Sequence, residues 1–133
     1  MLNLLVAASH MRDKVDKLCA EHNITHGQYN VLRILRGGHP DGYPRCEIAK
    51  RMIERAPDVT RLIDRLEQQG LVERDRSTED RRLSISRITP RGLELLESMT
   101  SGIEDIYHYF AQRVSLRDSR ELSRICEGIY DEE

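Results

Sequence analysis

The chain has 133 residues, of which 38% are hydrophobic, 33% charged and 5% aromatic, with a formal net charge of −2. No window approaches the run of about 18 apolar residues that marks a membrane-spanning helix. Three cysteines (Cys19, Cys46 and Cys126) lie far apart with no CxxC, which argues against a disulfide framework or a zinc ribbon and for a reducing, cytoplasmic setting.

Residues 2–21 read as a helix, because Leu5, Ala8, Met11, Val15 and Leu18 recur at spacings of three and four. Met1 to Val6 lacks a basic n-region and is read as part of this helix, not as a signal peptide. Thr25 and Gln28 form a capping box, with Ile24 and Tyr29 placed as a hydrophobic staple. The helix they open carries Val31, Leu32, Ile34 and Leu35 and stops at Gly37-Gly38. Residues 37–44 hold three glycines and two prolines and read as a loop.

A short helix is expected over 45–53, with Ile48, Ala49 and Met52 inward. The next helix is expected over 57–69, with Pro57 in its first turn and Val59, Leu62, Ile63 and Leu66 on its apolar face. Gly70 ends it. Residues 71–74 and 83–88 read as two strands joined by a long charged tip, 75–82. Thr89-Pro90 opens a long helix to about residue 114, on which Leu96, Met99, Ile103, Ile106 and Phe110 repeat in a coiled-coil-like seam. A last helix over about 117–130 carries Leu122, Ile125, Cys126 and Ile129.

The small net charge hides an uneven distribution. Residues 45–92 carry 12 Lys and Arg against 9 Asp and Glu, a balance of +3, whereas the remainder carries 9 against 14, a balance of −5. A basic middle between acidic ends is an electrostatic footprint of nucleic-acid binding, although a charge run alone is usually a solvated face. The element order adds to it. A helix, a short helix, a glycine-ended helix and a charged hairpin make a winged helix-turn-helix, mainly α with a small β-hairpin wing. In that arrangement the 57–69 helix offers its N-terminal polar residues to a major groove. Arg76, Arg81 and Arg82 at the hairpin tip reach an adjacent minor groove. Residues 23–92 would form the DNA-binding domain, and 1–22 with 93–133 a helical dimerisation region.

The stretch from Ala56 to Arg74 resembles the recognition helix and first wing strand of the MarR (multiple-antibiotic-resistance regulator) family. Asp80-Arg81-Arg82, followed by Ile88-Thr89-Pro90-Arg91-Gly92, resembles its wing signature and the start of its long dimerising helix, and Ile24 to Tyr29 its second-helix opening. The resemblance covers nearly the whole chain. It implies a homodimeric cytoplasmic transcription regulator, usually a repressor, that binds a pseudo-palindromic double-stranded operator and is commonly released by a small molecule or an oxidant. Carried over by position, it implies that Pro57, Asp58, Thr60 and Arg61 face base edges and that Arg65 and Arg74 lie at phosphates. It implies likewise that Asp80 orients Arg82 in the minor groove. Two residues depart from the pattern. Arg45 stands where a Ser or Thr cap is common. Asp58 is an anion at a DNA-facing position, better suited to capping the helix than to accepting from cytosine N4.

The alternatives are a thiol-sensing regulator of the same fold acting through Cys19, and a helical interaction module that does not touch DNA. Relatives that sense peroxide through a first-helix cysteine carry it earlier in the helix, so Cys19 is expected as a buried core residue. Asp105 with His108, and Glu21 and His22 with His26, are too scattered to predict a metal, and no cofactor is expected. Tyr29, Tyr107 and Tyr109 could line an effector cavity or simply pack. There is no GxSxG, no Gly-rich phosphate loop and no HExxH, so no enzyme is expected.

Overall fold

The computed structural model describes residues 1–53, 58–75, 80 and 83–131, which fall into two units, Met1–Thr100 and Ser101–Glu133. Six helices and three strands occur among the described residues: α1 (Leu2–Glu21), α2 (His26–Gly37), β1 (Tyr43–Pro44), α3 (Arg45–Arg51), α4 (Val59–Gln68), β2 (Val72–Arg74), β3 (Ile85–Ile88), α5 (Pro90–Ala111) and α6 (Leu116–Tyr130). No described helix is long and apolar enough to cross a membrane.

In the first unit, α2 starts as its sequence dictates. The Gln28 amide N–H donates to the Thr25 hydroxyl (3.2 Å) and the Gln28 side-chain oxygen accepts from the Thr25 N–H (2.9 Å), closing the capping box. α2 then supplies Val31, Leu32 and Leu35 to a core completed by Ile48, Val59, Ile63, Leu66, Val72, Ile88, Leu96 and Met99. The predicted stripe on α1 is buried only at its C-terminal end, through Leu18 and Cys19, while Leu2, Leu4, Leu5 and Val6 stay in water. Three boundaries differ from the sequence reading. α3 ends at Arg51, because Met52 is extended (ψ 133°), and Ala49 is exposed, one helical step beyond the buried Ile48. α4 starts at Val59, two residues late, because Asp58 takes a non-helical conformation (φ −149°, ψ 75°) as its N-cap. α5 stops at Ala111 rather than near 114.

The wing has three strands in the order β1-β3-β2, all antiparallel. Val72 pairs with Ile88 and Arg74 with Ser86, and Asp75 extends the ladder by donating to the Ile85 carbonyl (2.9 Å). β1 lies in the segment expected to be a loop. It is two residues long, too short for any alternation to show, and it pairs Tyr43 with Ser86. At Gly42, just before it, φ is +79°, and a Cβ would collide with the Ser86 carbonyl, so glycine permits both the turn and the close approach. Gly70 (φ +74°) ends α4 as predicted, and the Leu71 N–H returns to the Leu66 carbonyl (3.0 Å). Thr89 donates its hydroxyl to the Gly70 carbonyl (2.7 Å) and accepts from the Gly92 N–H (3.1 Å), so one side chain caps α5 and ties it to the turn after α4.

In the second unit, Ser115 caps α6 by accepting from the Asp118 N–H (3.1 Å). No residue of α6 is buried, and Leu122, Ile125 and Ile129 lie exposed along it. Ile103, Ile106 and Phe110 on α5 are half-buried.

Candidate nucleic-acid interface

The two helices of the helix-turn-helix are pinned together by a side chain that the sequence reading flagged only as a departure. Pro44 occupies the N-cap of α3 and makes no side-chain cap bond. Arg45 instead reaches across to α4 and donates from Nη1 to the Thr60 hydroxyl (2.9 Å). The Asp58 carboxylate accepts from the Arg61 N–H (2.9 Å), which is the capping role expected for it over base contact. The carboxylate therefore sits on the positive end of the helix dipole.

Beyond the cap, Arg61 and Arg65 are exposed, and neither makes an ion pair among the described residues. They follow one another at i, i+4, so they share a helical face. Arg74 differs. Its side chain is only 14% exposed, and its guanidinium is held by Asp64 and by Glu67 (Nε to Oε2 3.3 Å). Burial disfavours the charge, but the bonds to these two carboxylates outweigh it and raise the pKa above the ordinary arginine value. The sequence contained a signal for this clamp. Asp64 and Glu67 stand at i, i+3, on one helical face, and a tight glycine turn brings β2 back toward the helix end. Asp80 is half-buried and its carbonyl accepts from the Leu83 N–H (3.0 Å). Pro57, Arg76, Arg81 and Arg82 lie outside the described residues.

The family profile of MarR matches residues 24–84. A MarR transcription factor from Planctomyces limnophilus is 34% identical, with 95% of this chain and 91% of that one covered and a TM-score of 0.74. The chain belongs to the MarR family. As a MarR-family protein it is also similar to the HTH-type transcriptional regulator PrsX of Escherichia coli, at 28% identity over 101 residues, which are 75% of this chain and 61% of PrsX. The homoprotocatechuate degradative operon repressor of Escherichia coli is 26% identical over 106 residues, covering 80% and 70% of the two chains. The chain thus spans about three fifths of the length of the first curated relatives it matches. These relatives are transcription regulators, not enzymes.

Other residues singled out from the sequence have structural partners. His26 Nδ1 lies 3.0 Å from Asp16, and His22 Nδ1 lies 3.0 Å from the Leu18 carbonyl. Among the described residues no three His, Cys, Asp or Glu side chains gather where a metal could bind. Tyr29 is buried in the first unit. In the second, Arg113 stacks on the Tyr109 ring (3.6 Å to its centroid), and Tyr107 is exposed.

Cys19 is fully buried, and burial first, with the nearby Asp16 charge second, pushes its thiol up to about 11. At neutral pH it is protonated and shielded, whereas Cys46 is exposed. Alkylation by iodoacetamide, read by mass spectrometry, is expected to label Cys46 readily and Cys19 only on unfolding. Because the folded thiol has the higher pKa, the unfolded chain ionises first. Stability should therefore hold below about pH 9 and fall as pH rises towards 11, and a Cys19→Ala variant should show less of that fall.

Proposed function

We propose that this MarR-family chain is a homodimeric, cytoplasmic transcription regulator that binds a pseudo-palindromic double-stranded DNA operator. On this reading it acts as a repressor and is released by a small-molecule effector. One observation carries the DNA reading: α4 presents Arg61 and Arg65, exposed and unpaired among the described residues, directly beyond its capped N-terminus. Arg61, with Asp58, Pro57 and Thr60 around it, faces base edges, and Arg65 faces phosphates. Arg82, oriented by Asp80, enters the minor groove, with Arg76 and Arg81 beside it on the wing. Arg74 could reach a phosphate only by giving up a carboxylate, so in this proposal it braces β2 against α4. The E. coli repressor among the relatives supports the sense of regulation. The burial and raised pKa of Cys19 favour ligand sensing over thiol sensing. A helical module indifferent to DNA would leave the exposed arginines of α4 without a purpose.

Residues 1–22 and 93–133 form the dimerisation region in this reading. Leu2, Leu5 and Val6 on α1, and Leu122, Ile125 and Ile129 on α6, expose apolar side chains that a second copy would cover. Sedimentation at micromolar concentration should give twice the chain mass, and removing residues 1–20 and 117–133 should yield monomers or aggregates. A monodisperse full-length monomer would refute the dimer. The DNA reading is tested by selecting bound sequences from a random pool. A palindromic consensus bound with a steep salt dependence is expected, and recovery of no enriched sequence would count against it.

A further inference from the structure

Thr60, the second residue of α4, carries a hydroxyl whose hydrogen-bonding polarity is fixed from another helix. A threonine hydroxyl can ordinarily accept or donate at a base edge, so by itself it distinguishes bases poorly. Here Arg45, at the start of α3, donates from Nη1 to its oxygen (2.9 Å). A guanidinium has five N–H donors and no acceptor, and it does not lose its charge. The tie therefore runs in one direction: at this contact Thr60 accepts, and its own proton must point elsewhere. Among the described residues Thr60 has no acceptor for that proton.

The surroundings leave Arg45 to this contact. It is the first residue of α3, behind a Pro44 N-cap that makes no side-chain bond. The carboxylate of α3, Glu47, faces Lys50 (3.4 Å) and Arg51 (3.9 Å). Asp58, two residues before Thr60, accepts from the Arg61 N–H. Arg45 thus makes no ion pair among the described residues, in contrast to Arg74, which two carboxylates hold. Arg45 and Thr60 are both half-buried, so water competes less for either group.

We propose that Arg45 is a positioning residue that sets base preference through Thr60, by turning an ambivalent hydroxyl into a donor. The proposal rests on the DNA reading above, in which Thr60 faces base edges. In a major groove the hydroxyl proton matches the acceptors of guanine (N7 and O6), adenine (N7) and thymine (O4), but not the N4 amino donor of cytosine. One lone pair of the hydroxyl remains, yet a cytosine donor placed there would sit beside the guanidinium and leave the hydroxyl proton without a partner. The charge of Arg45 also polarises the hydroxyl and strengthens it as a donor. Preference at one base pair is then set by a side chain that need not touch DNA.

The test compares the native chain with Arg45→Lys, Arg45→Gln, Thr60→Val and the double variant Arg45→Gln/Thr60→Val. Each competes for operators substituted base by base, starting from the consensus selected out of the random pool. Lysine, like arginine, can only donate, whereas glutamine can also accept the Thr60 proton and so frees the polarity. Thr60→Val locates the base pair in each half-site that Thr60 reads. At that pair the native chain and Arg45→Lys should discriminate against cytosine by about tenfold or more, and Arg45→Gln by about threefold or less. Once Thr60 is valine, Arg45→Gln should change nothing further at that pair. Circular dichroism checks the fold of each variant, and Arg45→Met, which keeps the stem and drops the donors, replaces a glutamine variant that does not fold.

Additive effects of the two substitutions at that pair would overturn the proposal. So would tolerance of cytosine by the native chain, or an Arg45→Lys variant as permissive as Arg45→Gln. A uniform loss of affinity in Arg45→Gln, with base preference unchanged and a salt slope smaller by about one charge, would also overturn it and make Arg45 a phosphate contact. If the native chain selected no sequence, the DNA reading would fall and the proposal with it. A consensus at which Thr60→Val altered no base pair would fell the proposal alone.

Discussion

Gly92→Ala is expected to destabilise the first unit by about 2–4 kcal/mol, a large share of the stability of a marginally stable domain. Gly92 lies in the first turn of α5, and a Cβ there would stand 2.5 Å from the Leu71 carbonyl oxygen and 2.6 Å from Ile88 Cγ1. Neither neighbour is free to move. Ile88 is buried and paired with Val72, and the Leu71 carbonyl already accepts from the Thr89 N–H (3.0 Å). The added methyl must therefore push α5 off the strands or break the Thr89 tie to the Gly70 turn, and overpacking against backbone has no inexpensive escape. Urea unfolding followed by circular dichroism measures the loss. A midpoint unchanged from the native chain would show that α5 does not approach the sheet this closely. Gly37→Ala serves as the control, because its Cβ faces open space and alanine suits a helix better than glycine.

Arg61→Ala and Arg65→Ala should both weaken operator binding, but in different ways. If Arg61 reads a base edge, its loss costs about 1–3 kcal/mol on the selected operator, nothing comparable on random DNA, and relaxes preference at one base pair in each half-site. If Arg65 meets phosphate, its loss weakens binding uniformly across sequences and reduces the salt slope by about one charge. Both side chains are exposed without ion pairs among the described residues, so neither truncation leaves a buried group unsatisfied or disturbs the fold. Titrating both variants on operator and random duplexes at several salt concentrations separates the two modes. Native affinity in both folded variants would move the DNA surface away from α4.

Much of the fold was legible because its signals are local. The capping box at Thr25 and Gln28, the apolar face of α4, the glycine turn at residue 70 and the Thr89 start of α5 depend on residues within a turn of each other. The structure differs where tertiary contacts override local preference. β1 exists only because Tyr43 and Pro44 find β3, some 40 residues away in sequence. The stripe on α1 predicts a helix but not that only its Leu18 end is buried. At the candidate site, the cap at Asp58 could be read from charge and position. The Arg45–Thr60 link could not, because it joins side chains on different elements. The clamp on Arg74 left only the i, i+3 spacing of Asp64 and Glu67 as a signal, and residue type alone assigns an arginine to DNA before it assigns it to a neighbouring Asp or Glu.

The Asp58 cap has a consequence for how such a protein would search a chromosome. An uncapped helix end, with its free N–H groups and partial positive charge, attracts any phosphate it passes. Here a carboxylate already occupies that end and accepts from the Arg61 N–H. Its negative charge repels the DNA backbone wherever the helix is not seated among bases. If α4 enters the groove as proposed, encounters with random sequence would be shortened, and more of the residence time on DNA would depend on a matching groove. On that reading a single capping residue would trade some indiscriminate stickiness for faster turnover between wrong sites.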